Sequence, residues 1–282
     1  MLTTGTRDQQ GLGAGSPASG ARQPSGAQEV VGRRDRYLVL LGIAGISLVA
    51  WVYTVAWSDH VERASGALHV HSHSWSQAEL GATFLMWAVM MVAMMAPTAT
   101  PMLLALTRIG RAQAGSPGPL LPATGFLLGY LLVWTGFSGV ATLAQWGLHE
   151  FALVSASGAT RGPGLAGVLL LGAGAFQLTP LKQACLVHCR SPLLFLMSAW
   201  RPGSWGGLRM GIQHGAVCVG CCWALMALMF VGGTMNLLWT AGLMVWMLVE
   251  KLLPLGRRAS QASGVGLLAW GGYVLGAAAI GA

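Results

Sequence analysis

Charge is what this sequence has least of. Only 9% of its 282 residues are Asp, Glu, Lys or Arg, against 54% that are hydrophobic. A soluble domain carries roughly 25% charged residues, so a large soluble α/β protein starts far behind an integral membrane protein. Acidic residues are scarcest, eight in all. No pair of them falls inside an apolar stretch, which removes the two carboxylates of a hydrolase. A phosphate-binding loop and a nucleic-acid module are also missing. The formal charge of +8 is therefore tested first as a marker of topology. No apolar run precedes Tyr37, so a signal peptide is not expected. Residues 1–36, rich in Gly, Ser, Ala and Gln, read as a disordered cytoplasmic tail. That leaves 37–282 as a transmembrane helical domain.

Apolar runs are what the chain does have. Seven stretches approach the roughly 20 residues that a spanning helix needs: 37–57, 80–106, 123–145, 163–184, 209–231, 234–253 and 264–281. Pro97 and Pro101 predict a kink in the second. With the N-terminus inside, fourteen of the sixteen basic residues fall on the inner side, including Lys182, Arg190, Arg201, Arg209 and Lys251. Only Arg63 and Arg161 fall outside. The bias predicts an all-α, polytopic bundle of about seven helices, N-in and C-out. Gly125 with Gly129, and Gly272 with Gly276, have the small-xxx-small spacing of close helix packing.

All five cysteines, Cys185, Cys189, Cys218, Cys221 and Cys222, lie within the membrane or at its inner face in this topology. They are expected to be reduced thiols. Three of them share "HGAVCVGCCWALM" with His214. At about 100° per residue, His214, Cys218, Cys221, Cys222 and Met229 fall within one wedge of roughly 100°. A single free Cys is most often a small buried hydrophobe. Three with an imidazole on one face of an apolar helix point instead to a site. In "KQACLVHCR", Cys185, His188 and Cys189 stand at i, i+3 and i+4, which a helix would bring together.

A methionine stripe, "MWAVMMVAMMAP", adds Met90, Met91, Met94 and Met95 as candidate ligands. Methionine at helical spacing is by itself more often core. Depth changes the weighing. At about 1.5 Å per residue, Met90 to Met95 and Cys218 to Cys222 both reach the middle of a core about 30 Å thick. They could meet there if the second and fifth spans pack together. A fourth cluster, "HVHSH", alternates His69, His71 and His73 in an outer loop; a metal loop and a solvated pH-sensitive loop weigh equally there.

Thiolate and thioether donors suit Cu(I); thiolate with imidazole also suits Zn²⁺. A structural zinc site takes four ligands around a tetrahedron, which one straight helix cannot supply. Low-coordinate Cu(I) is therefore preferred, with zinc second. The spacing lacks the ferredoxin run for an iron–sulfur cluster. "CVGC" is followed by Cys222 and not His, which excludes c-type haem attachment. It does match a Cys-x-x-Cys redox pair, so a membrane thiol–disulfide oxidoreductase using Cys218 and Cys221 is a rival. Glu250, beside Lys251, reads as a paired charge at the inner membrane boundary.

The stretches "MMVAMMAPTATPM", "FQLTPLKQACLVHCRSP", "MGIQHGAVCVGCCWALM", "FVGGTMNLLW" and "EKLLP" together resemble a bacterial family of predicted metal-binding integral membrane proteins. It is a domain of unknown function sometimes labelled copper chaperone. The likeness covers about 80–255, with Phe176 where tyrosine is expected. It implies Met90, Met91, Met94, Met95, Cys185, Cys189, His214, Cys218, Cys221 and Cys222 as family positions, and a bacterial inner membrane.

The leading expectation is a multi-pass inner-membrane protein that handles Cu(I) through Cys, Met and His ligands. It would transport the ion or deliver it to a partner protein. No catalytic residue is assigned and the balance falls against an enzyme. The alternatives are the thiol oxidoreductase and a structural assembly subunit in which a metal holds helices together. The lipid bilayer is an expected partner; nucleic acid is not, and the oligomeric state is open.

Overall fold

The computed structural model describes residues 26–67, 75–112, 120–155, 157–201 and 203–281. The histidines of "HVHSH" lie outside the described residues. Eleven α-helices follow in order: α1 (Gly26–Ala67), α2 (Gln77–Met95), α3 (Thr100–Ala112), α4 (Leu120–Glu150), α5 (Pro163–Leu178), α6 (Pro180–Arg190), α7 (Pro192–Ala199), α8 (Gly203–Ala227), α9 (Met229–Gly232), α10 (Leu237–Leu252) and α11 (Gly256–Gly281). No strand forms among the described residues. The boundary expected between residues 36 and 37 falls inside α1.

Among the described residues, five helical segments are long and apolar enough to cross a membrane: Arg33–His60, Gln77–Arg111, Leu120–Glu150, Gly203–Gly232 and Gly256–Ile280. A bent pair, α5 with α6, makes a sixth if it counts as one span. The expected count was seven. The difference is α10, which has only 16 residues.

Local sequence explains the breaks. Ser76 starts α2 with a capping box: its hydroxyl accepts from Glu79 N and its own N–H donates to the Glu79 carboxylate. Pro97 then replaces the helix by one 3₁₀ turn, Pro97–Ala99, before α3, which is the kink expected from the prolines. Thr179 is extended (φ −68°, ψ 148°) ahead of Pro180, as a residue before proline prefers. Its hydroxyl oxygen accepts from Lys182 N and caps α6. The chain bends by 66° there, so the expected span 163–184 is two helices at an angle.

Helix α4 is the spine of the bundle: α8 packs along it, and α2 packs against it as well. Glycines set the α4–α8 distance. A Cβ on Gly129 would strike the carbonyl oxygen of Leu208, and one on Gly211 that of Phe126. Both backbones therefore approach as closely as peptide groups allow. The second small-residue pair behaves differently. Gly272 and Gly276 meet no neighbour; Gly264 and Gly271 form the seam of α11 against α5. Trp87 on α2 donates its indole N–H to Gln145 on α4 at 2.7 Å, and Arg111 on α3 pairs with Asp35 on α1.

Candidate metal centre

The bend at Pro180 aims α6 across α8, and this crossing builds the site. Lys182, Cys185, Leu186 and Cys189 lie on one face of α6 by helical spacing. Lys182 and Leu186 are buried, and Cys185 and Cys189 half-buried. From α8, Cys218, Cys221 and Cys222 are buried at 1% exposure each. The sulfurs of Cys189, Cys218 and Cys221 all lie within 4.8 Å of one another. Cys189 Sγ is 3.7 Å from Cys221 Sγ, and Cys221 Sγ is 3.3 Å from Cys222 Sγ. Two helices thus gather four thiols, all free.

Cys185 stands at the edge, its sulfur positioned against Gly220 of α8. His188 does not join. It is exposed, and its Nδ1 lies 3.0 Å from the carbonyl oxygen of Ala184 in its own helix. As the immediate neighbour of Cys189 it is turned about 100° from it on the wheel, away from α8. His214 sits one turn before Cys218 and is buried among the rings of Phe126, Tyr130 and Phe195 at centroid distances of 5.3 to 5.9 Å. Its Nδ1 is buried without a hydrogen-bond partner, an unusual state for an imidazole nitrogen.

The methionines are all buried, but α2 and α8 do not pack along each other as the depth argument required. Each packs instead against α4. One connection to the thiols is made at the end of α2. Met95 Sδ lies 4.0 Å from Lys251 Nζ, and the same ammonium lies 3.0 Å from Cys218 Sγ. Met90, Met91 and Met94 lie in one buried cluster with Cys218, Cys221 and Cys222.

Several polar groups in this region were not expected as site residues. Tyr130 Oη is 3.0 Å from Cys218 Sγ and 3.0 Å from Thr98 Oγ1, and Thr98 donates to Met95 O at 2.8 Å. Lys251 Nζ also donates to Thr98 Oγ1 at 3.4 Å. On the other side Lys182 Nζ donates to the Cys221 carbonyl and to Glu250 Oε2, each at 2.7 Å. Glu250 accepts further from Gln177 (2.6 Å) and Trp246 (3.1 Å). Sequence reading put Glu250 at the membrane boundary beside Lys251. In the structure it is 1% exposed and its partner is Lys182. The signal available was a lysine three residues from a cysteine, and another beside a glutamate, each in an apolar run.

The donor set fits a soft ion. Two or three thiolates with a neighbouring thioether suit Cu(I), and a fourth sulfur, Cys222, also lets the set complete a tetrahedron for zinc. A family model described as PpoB2, copper chaperone, matches residues 84–274. That range contains every cysteine and every methionine named above. Comparison with curated proteins and with solved structures gives no match.

Proposed function

The chain belongs to the PpoB2 copper chaperone family, and from that premise we propose a multi-pass bacterial inner-membrane protein that binds Cu(I). It passes the ion across the bilayer or to a partner protein. The observation that carries the reading is the gathering of Cys189, Cys218 and Cys221 sulfurs within 4.8 Å of one another, from two helices. Copper is cargo here. A cargo ion needs donors strong enough to capture it and neighbours that let it leave. Met95 and His214 border the thiols, and Met90, Met91 and Met94 extend the thioether supply along α2. Cys222 and Cys185 are reserve thiols at the edge of the cluster.

The outer surface supports a lipid setting. Val49, Leu128, Leu143 and Ile280 are among many large apolar side chains that face outward. Lipid solvates such a surface; water does not. We read seven crossings, with α10 as a short one, the N-terminus inside and the C-terminus outside. Lys182 and Lys251 are buried and cease to count as loop charges. Twelve basic residues then remain on the inner side against two outside, which still favours this orientation.

Metal analysis of protein purified in detergent tests the reading. Near-stoichiometric Cu(I) is expected in the wild type, and its loss in the Cys218→Ser, Cys221→Ser double variant. Full copper in the variant, or none in the wild type, overturns it. A second reading, thiol–disulfide exchange, is favoured by the 3.7 Å approach of Cys189 to Cys221. It prevails if the wild type carries no metal and its thiols cycle with a quinone.

A further inference from the structure

The geometry points to Lys251 as the residue that sets the charge preference of the thiol site, favouring a monovalent ion over a divalent one. This rests on the metal-site reading above. Lys251 is buried, with Nζ 3.0 Å from Cys218 Sγ, 3.4 Å from Thr98 Oγ1 and 4.0 Å from Met95 Sδ. It pairs with no carboxylate among the described residues. The adjacent Glu250 is committed to Lys182 at 2.7 Å and to Gln177 and Trp246. Lys182 therefore brings a charge that is already cancelled, while Lys251 brings one that is not. A buried cation costs desolvation that a methionine of similar length would avoid. Among the described residues, Cys218 Sγ at 3.0 Å is the group placed to offset it.

The consequence follows from counting charge. Whatever number of thiolates close on the ion, the complex of a monovalent ion carries one more negative charge than the same complex of a divalent ion. Lys251 attracts the first more strongly by one unit-charge interaction over a few ångströms. Discounted for relaxation and the protein's own polarity, that interaction corresponds to ~10- to 100-fold in relative affinity. Lys251 is thus a specificity residue that need not touch the ion.

Ag(I) and Cd(II) are suitable probes, because both are soft d¹⁰ ions that differ in charge and neither changes oxidation state. Their affinities are measured by competition on the full chain in detergent, for the wild type and for Lys251→Met, Lys251→Gln and Lys251→Arg. Lys251→Gln keeps a donor for Thr98 if the methionine variant does not fold. The expected result is a fall of ~10- to 100-fold in the Ag(I)/Cd(II) affinity ratio for the neutral variants, with the arginine variant close to wild type. A ratio unchanged within about twofold in neutral variants that still bind metal overturns the inference and leaves the metal site standing. Loss of both ions from the neutral variants also overturns it, since Lys251 would then hold the site rather than select its ion. Failure of the wild type to bind either ion removes the site reading itself.

Discussion

Lys182 Nζ and Glu250 Oε2 lie 2.7 Å apart in the interior of the bundle, both side chains almost fully buried. The pair joins α6 to α10. Through the bond from Lys182 to the Cys221 carbonyl it also joins both to α8. Removing one partner leaves an uncompensated buried charge. Lys182→Met or Glu250→Leu is expected to destabilise the protein by roughly 3–5 kcal/mol. Removing both partners together is expected to cost much less than the sum, because no charge is left unpaired. Thermal unfolding in detergent of the two single variants and the double variant measures the coupling directly. Additive losses would show that the pair contributes nothing as a pair.

The glycine seam between α4 and α8 offers a test that involves no charge. At Gly129 and Gly211 an added methyl meets backbone carbonyl oxygen, which cannot rotate aside. Gly129→Ala and Gly211→Ala are each expected to force the helices apart, at about 1–3 kcal/mol. Because α8 carries three of the four clustered thiols, metal affinity falls with stability. Gly272→Ala, where nothing lies within 4 Å, is the control and is expected to change stability by less than about 0.5 kcal/mol.

The cluster also ranks its own members. Cys189→Ser removes a sulfur within the 4.8 Å group and is expected to weaken Cu(I) binding by at least ~10-fold, as loss of one soft ligand should. Cys185→Ser and His188→Ala are expected to leave affinity within about threefold, since a side chain outside the ligand set contributes little. Competition against a chromophoric Cu(I) chelator separates these outcomes. A large effect at His188 would mean that α6 rotates when the ion binds.

How far the sequence reached depended on what kind of signal a residue gives. Cysteine and histidine in an apolar run are conspicuous, and the wheel placed Cys218, Cys221 and Cys222 on a common face because α8 is one uninterrupted helix. Cys189 and His188 could not be told apart by spacing alone, since i+3 and i+4 neighbours diverge by about 100° and only the packed partner decides which is buried. The meeting of methionines and thiols needed a tertiary fact, that α2 and α8 each pack on α4 and the end of α2 brings Met95 within 4.0 Å of Lys251. Lys182 and Lys251 were counted as loop charges because sequence cannot distinguish a lysine at a helix end from one folded back into the bundle. The expected span 163–184 ran straight through Thr179 and Pro180, and the 66° bend there is a difference the apolar run did not reveal.

The number of crossings has a parity that one measurement decides. Helix α10 has 16 residues, about 24 Å at 1.5 Å per residue, which is short against a hydrocarbon core of about 30 Å. A short helix can still cross if the bilayer thins around it or flanking side chains reach outward, at a modest cost per ångström of mismatch. If α10 and the bent α5–α6 pair both cross, the chain makes seven crossings and its two ends lie on opposite sides. If one of the two does not, the count is even and both ends share a side. Reporters fused after Ala282 that are active only in the cytoplasm or only in the periplasm distinguish these cases. With the N-terminus held inside by the twelve-to-two bias of basic residues, the expected result is a periplasmic C-terminus. A cytoplasmic C-terminus would mean that either α10 or the bent α5–α6 pair enters the bundle without spanning it.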